Sequence, residues 1–177
     1  MAIPQLETER LILRGHKLAD FEACAQMWSD PEVVRFIGTA KPFTPQQCWS
    51  RLTGYVGHWV LMGYGLWAVE EKTTGNYIGE MGFADFKRGI ADAPDRPELG
   101  WVLASEFHGK GYATEALKAV TAWGDANFQQ RETFCIIRPD NVASIRVAEK
   151  IGYGSPRSTR HGDDAILLFT RHGVSRE

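Results

Sequence analysis

Cysteine is scarce in this chain: three in 177 residues, Cys24, Cys48 and Cys135, scattered and odd in number. That usage excludes a disulfide framework and a zinc-ligand spacing; it predicts reduced thiols and no metal. No apolar run reaches the ~18 residues of a spanning helix, so no membrane partner is expected. The opening Met1-Ala2-Ile3-Pro4 lacks the basic-then-apolar order of a signal peptide, which with the thiols predicts a cytoplasmic protein. A basic excess is missing too. Twenty Lys and Arg against 22 Asp and Glu leave a net charge of −2, which argues against a nucleic-acid partner. No repeat or low-complexity segment is visible. What remains is 44% hydrophobic and 24% charged, in a length that predicts a single domain over residues 1–177 with a real core.

Periodicity divides the chain into alternating strands and helices. A strand is predicted over 9–15, and a helix over 20–27 with Phe21, Cys24, Ala25 and Trp28 on one face. Asp30 and Pro31 open a second helix, and 35–43 reads as a loop. Thr44, Pro45 and Gln47 form a capping box for a helix to Gly63, with Trp49, Leu52, Val56, Trp59 and Val60 at helical spacing. Strands over 66–71 and 77–85 flank the turn Thr73-Thr74-Gly75-Asn76. A loop over 87–96 leads to the strand that begins at Glu98, and a helix then runs to about Asn127. A strand over 133–137, a helix over 141–151 between the N-cap Asn141 and the stop Gly152, and a last strand over 165–171 complete the order. The polar tail is expected to fray.

The stretch Glu98 to Ala116 organises the rest. Leu99, Trp101 and Leu103 alternate with Glu98, Gly100 and Val102, and Ala113, Ala116, Leu117, Val120 and Trp123 follow on one helical face. Between them lies His108-Gly109-Lys110-Gly111-Tyr112. A glycine-rich turn from strand into helix is an anion site, because free backbone N–H groups and the helix dipole point at the ligand. Lys110 followed by Gly111 fails the Walker pattern, and Thr114 misses the third Rossmann position.

Glu106-x-x-Gly109-x-Gly111 resembles the acetyl-CoA signature Q/R-x-x-G-x-G/A of the GNAT superfamily of N-acetyltransferases, with Glu106 in place of Gln or Arg. The blocks E-L-G-W-V-L and G-K-G-Y-A-T-E-A resemble its ribosomal-protein-alanine (RimJ/RimL-like) branch. So do Asn141-Val142-Ala143-Ser144 with Glu149-Lys150-Ile151-Gly152-Tyr153, and the opening Leu6-Glu7-Thr8-Glu9-Arg10-Leu11. The resemblance implies an α/β GNAT fold: a mixed, mostly antiparallel sheet of six to seven strands, splayed at its centre, with flanking helices.

It also implies acetyl-CoA as co-substrate and an amine acceptor. Main-chain groups of Val102 and Leu103 would hold the pantetheine arm as if it were a strand. His108, Gly109, Lys110, Gly111, Tyr112, Ala113 and Thr114 would wrap the pyrophosphate, with Lys110 either on a phosphate or in solvent, and His108 either catalytic or a surface histidine. Asn141 would contact the pantetheine as well as cap its helix. The position where many members keep a general-acid tyrosine is Ala148, so Ser144 is the substitute acid, with water or direct thiolate protonation as alternatives. Glu98 is the first candidate base, with an arginine partner such as Arg138 as its plain structural reading; Glu80 is the second. A base matters more for lysine, pKa ~10.4, than for an α-amino group near ~8. No cysteine sits in either motif, which favours direct attack in a ternary complex. Trp49, Trp59 and Trp123 are expected in the core, while Trp28, Phe36 and Phe43 fall where this branch builds its acceptor pocket. Asp85, Asp92 and Asp95 would either attract a basic peptide or form a solvated loop. The acceptor would be a protein N-terminus or a small amine such as an antibiotic or polyamine. A non-catalytic acyl-CoA-binding module is the alternative, as monomer or homodimer.

Overall fold

The computed structural model describes residues 2–90 and 92–173; the predicted fraying of the tail concerns mostly residues outside that range. One sheet carries the chain, in the order β1-β2-β3-β4-β5-β6-β8-β7. Its strands are β1 (Leu6–Glu7), β2 (Leu11–Arg14), β3 (Leu66–Glu71), β4 (Tyr77–Ala84), β5 (Glu98–Leu103), β6 (Glu132–Ile137), β7 (Gly154–His161) and β8 (Asp164–His172). The helices are α1 (Phe21–Ser29), α2 (Pro31–Val34), α3 (Pro45–Met62), α4 (Tyr112–Asn127) and α5 (Val142–Lys150). The mixed, mostly antiparallel α/β architecture is as expected, but with eight strands among the described residues rather than six or seven. β1 is two residues long, and β7, Gly-Ser-Pro-Arg-Ser-Thr-Arg-His, has no apolar alternation to read because it is an exposed edge. An edge strand buries neither face well, so its side chains stay polar.

Capping chemistry places the helices as predicted. Asp30 accepts from the Glu32 N–H, and Thr44 and Gln47 close the capping box of α3. The buried face of α3 is rotated from the expected one, however. Cys48, Leu52, Tyr55 and Trp59 turn inward, leaving Trp49 44% and Val60 67% exposed. Trp49 therefore belongs to the surface, edge-on to Phe21 at 5.5 Å, and not to the core. Trp59 is buried as expected, stacked edge-to-face on Trp67 at 4.7 Å and on Trp123 at 5.7 Å. Truncating so central a tryptophan as Trp67 costs about 3–5 kcal/mol.

β4 divides its side chains among three apolar clusters, Ala84 joining Tyr55 and Leu66 in the smallest. Ile78, Met81 and Phe83 join the main core with Leu117 and Val120 of α4. Tyr77 reaches a second cluster of Cys24, Trp28, Val34, Cys48 and Leu52, built from α1, α2 and α3. All three cysteines are free and buried.

The sheet changes character at its centre. β5 pairs with β4 along its whole length, from Gly79–Leu103 to Ala84–Glu98. β5 and β6 are parallel and share the single register pair Glu98–Phe134. Beyond that rung the two strands separate, so the later residues of β5 have a partner on one side only.

Candidate active site

The alternation of an antiparallel ladder decides which β5 groups are free. The Ala104 N–H donates to the Ile78 carbonyl at 2.9 Å, one rung beyond Gly79–Leu103. Residues 98, 100 and 102 therefore turn their main-chain groups to β4, and residues 99, 101 and 103 turn theirs to the gap. This corrects one expectation: Val102 is committed to β4, and Trp101 joins Leu103 on the open edge. The Leu103 carbonyl accepts from His108 Nε2 at 2.9 Å. That bond places His108 as a brace on the lip of the turn.

The turn itself is held open by conformation. Gly109 and Gly111 have φ of 72° and 82°, the left-handed region that glycine tolerates and other residues adopt at a cost. Gly111 is also the N-cap of α4. Among the described residues, the amides of Gly109, Gly111 and residues 112–114 donate no backbone hydrogen bond. Free N–H groups gathered at the start of a helix are the geometry that receives phosphate. Lys110 lies over the Phe107 ring at 5.2 Å, and the Tyr112 hydroxyl donates to Glu71.

The N-terminal segment ties this turn to the sheet. Glu115, in the first turn of α4, accepts from the Thr8 hydroxyl at 2.6 Å, the Arg10 N–H at 2.8 Å and Arg10 Nε at 2.6 Å. Arg10 also donates to the Lys110 carbonyl at 3.0 Å and covers the Tyr112 ring at 4.3 Å. The Thr8-Glu9-Arg10 block thus has a job that its sequence alone did not state: it positions the glycine turn.

Below the splay lies a cavity of about 180 Å³, lined among others by Trp28, Arg51, Glu98, Trp101 and Ser144. Glu98 and Ser144, from segments far apart in sequence, both line it. Glu98 is 4% exposed and accepts from Arg88 Nε at 2.9 and 3.0 Å. Its arginine partner is Arg88, not Arg138, which bonds Asp164 instead. Burial raises the Glu98 pKa above the ordinary carboxylate value, with Arg88 pulling the other way. Asn141 caps α5 by accepting from the Ser144 N–H at 3.1 Å. Ala148 is wholly buried in the core.

Glu80 differs. It is 0% exposed and accepts from Trp28 Nε1 at 3.1 Å, from the Tyr77 hydroxyl at 2.8 Å and from the Tyr55 hydroxyl. His16 Nε2 stands 3.8 Å away, too far for a hydrogen bond. Burial opposes its ionisation, but His16, Arg51 and Tyr55 outweigh that and hold its pKa below the ordinary value. A carboxylate so fully supplied with donors is a structural anchor and a poor base. Asp85 pairs with Lys87 at 2.6 Å, and Asp92 accepts from Thr159 at 3.2 Å; neither lines this cavity.

Arg51 and Tyr55 were not foreseen. The Arg51 guanidinium lies 4.0 Å from the Trp28 ring centre, 5.2 Å from Phe43 and 5.7 Å from Tyr55. The available signal was positional: Arg51 falls among Cys48, Leu52 and Tyr55 on the inward face of α3, where a charge needs a reason.

The Acetyltransferase (GNAT) domain model matches residues 10–154, and the chain belongs to that family of acetyltransferases. An uncharacterized N-acetyltransferase of Bacillus subtilis (strain 168), YoaA, is 29% identical over 150 residues, 85% of this chain and 82% of the relative. The acetyltransferase structure from Agrobacterium tumefaciens str. C58 is 28% identical with a TM-score of 0.81, covering 97% of this chain and 96% of that one. RimL, a ribosomal L7/L12 alpha-N-protein acetyltransferase solved with coenzyme A, is 14% identical at a TM-score of 0.76, over 96% and 98% of the two chains. At that identity the RimL likeness is one of fold, and it does not select the RimJ/RimL-like branch. Among the described residues no helix is long and apolar enough to cross a membrane.

Proposed function

We propose that this chain, as one domain acting in the cytoplasm, moves the acetyl group of acetyl-CoA to a primary amine by direct attack in a ternary complex. The observation that carries the reading is open main chain in two places, on the free side of β5 and in the glycine turn, with the His108 brace between them. Trp101 and the Leu103 N–H face the splay, and the amides of Gly109, Gly111 and the first turn of α4 lie beyond. That edge accepts an extended amide-bearing arm as an added strand, and the turn takes the diphosphate at its end. The thioester then lies in the splay, on the wall shared by Glu98 and Ser144.

Glu98 serves as base, directly or through one water. Its raised pKa makes it a better proton acceptor near neutrality than an ordinary carboxylate. The neutral amine attacks the thioester carbon, and the tetrahedral intermediate expels the thiolate. The thiolate takes up a proton relayed from solvent through the Ser144 hydroxyl, which ends the turnover protonated, and Asn141 keeps that serine in place through the helix cap. The acceptor is a protein N-terminus, as in the RimJ/RimL-like branch, or a small amine.

Glu98→Gln tests the reading. General-base loss lowers kcat at pH 7 by about 10²-fold or more, while the Kd for acetyl-CoA stays close to wild type. The sign of the pH effect follows from the raised pKa. The basic form is needed, so the acid limb of kcat/KM lies above the ordinary carboxylate range, and the variant loses that limb. Equal kinetics for the two proteins would remove Glu98 from the mechanism.

A further inference from the structure

Three guanidinium groups border the cavity, and they are not equivalent. Arg88 is paired with Glu98, and Arg138 with Asp164. Arg51 has no carboxylate within ion-pair distance among the described residues; its one hydrogen bond runs from Nε to the Tyr55 hydroxyl at 3.0 Å. A guanidinium carries five N–H donors, so its four terminal N–H groups lack protein acceptors. The neighbouring anion acts on Arg51 through charge but makes no hydrogen bond to it. Glu80 also borders the cavity, but its oxygens already accept from Trp28, Tyr55 and Tyr77.

The rings of Trp28, Phe43 and Tyr55 fix the guanidinium and strip it of water. A planar, desolvated fork with free terminal donors is the arrangement that reads a carboxylate in bidentate fashion. Phe36 and Ile37, from the loop between α2 and α3, supply apolar wall beside it. Resting on the transferase reading, we propose that Arg51 is the specificity residue of the acceptor site and that the acceptor is a primary amine bearing a carboxylate. The same positive charge disfavours polycations such as polyamines and aminoglycosides. The carboxylate has two sources, a free amino acid or an acidic residue at the start of a peptide.

The experiment compares wild type, Arg51→Met and Arg51→Lys. Each is given acetyl-CoA and one of four acceptor sets: free α-amino acids, their methyl esters, spermidine, and tetrapeptides beginning with Asp or with Lys. Thiol release gives kcat/KM, and calorimetry gives binding of the same compounds to the CoA-loaded protein. Wild type is expected to favour acids over esters by about 10- to 100-fold. In Arg51→Met that ratio falls to within about threefold of one through KM, and Arg51→Lys restores part of it by charge without the fork. Preference for Asp-initiated tetrapeptides, lost in Arg51→Met, supports the proposal with the peptide as source. Esters or spermidine handled as well as the acids would overturn it, as would a selectivity that survives Arg51→Met or a failure of every carboxylate compound to bind or react. Acetyl-CoA binding, measured alone, keeps the two questions apart: an enzyme that binds it and acetylates spermidine is still a transferase, with Arg51 assigned wrongly.

Discussion

The proposed donor side is one unbroken stretch, residues 98–114, and it would work through main chain. The proposed acceptor side gathers Trp28, Arg51, Tyr55 and Glu80 on the cavity wall, with His16, Phe43 and Tyr77 packed against them from separate segments, and it would work through side chains. The two differ in how they tolerate change. Backbone donors survive substitution unless φ is violated, whereas a buried polar network fails when one member leaves its partners unpaired.

Glu80→Leu gives the largest effect, because Trp28, Tyr55 and Tyr77 lose a shared acceptor at a 0% exposed position. Breaking such a centre costs about 3–5 kcal/mol, a drop in Tm of roughly 6–20 °C for a chain of this size. The pH dependence has a definite sign. Glu80 is held below its ordinary pKa, so its contribution is complete above the unfolded value near ~4.3 and is lost as pH falls through the lower folded value. Tm measured against pH should lose part of its acid-side slope in the variant. Acetyl-CoA affinity of the folded protein should move less than about threefold, since the donor turn shares no partner with Glu80. A large loss of that affinity would show that the two sides are not separate.

Gly111→Ala acts on the other side and is smaller. A Cβ there meets Arg10 Nη2 at an ordinary 3.5 Å, so the cost is conformational, about 1–2 kcal/mol for a left-handed non-glycine residue. The KM for acetyl-CoA is expected to rise about tenfold while the acceptor KM holds. An acceptor KM that rises as much would blur the division.

His108→Ala is expected to have the smallest effect. Its bond to the Leu103 carbonyl braces the lip of the turn. Loss of one such bond is worth about 0.5–1.5 kcal/mol, or about 2- to 10-fold in acetyl-CoA affinity. A fall of about 10³-fold in kcat would instead place His108 in the chemistry.

The strand, glycine turn and helix over 98–127 could be read before any fold was known, because their information is local. Glycines at 109 and 111, strand alternation before them and an apolar helical face after them are consecutive features. The caps at Asp30, Thr44 and Asn141 were legible for the same reason: each is a side chain answering an amide two or three residues away. Choices between near neighbours were not legible. Whether Val102 or Trp101 faces the gap depends on which rung of the ladder bonds to β4, and a shift of one residue exchanges the two sets.

The linear order of residues settled the helices, most strands and the glycine-rich turn, since those follow from backbone propensity and spacing. The tertiary fold alone decided that Glu98 answers to Arg88, that Arg10 braces a turn about a hundred residues away, and that Glu80 is wrapped while Arg51 keeps its terminal donors free. Those outcomes depend on through-space distances of a few ångströms between segments remote in sequence, and periodicity carries no measure of such distances.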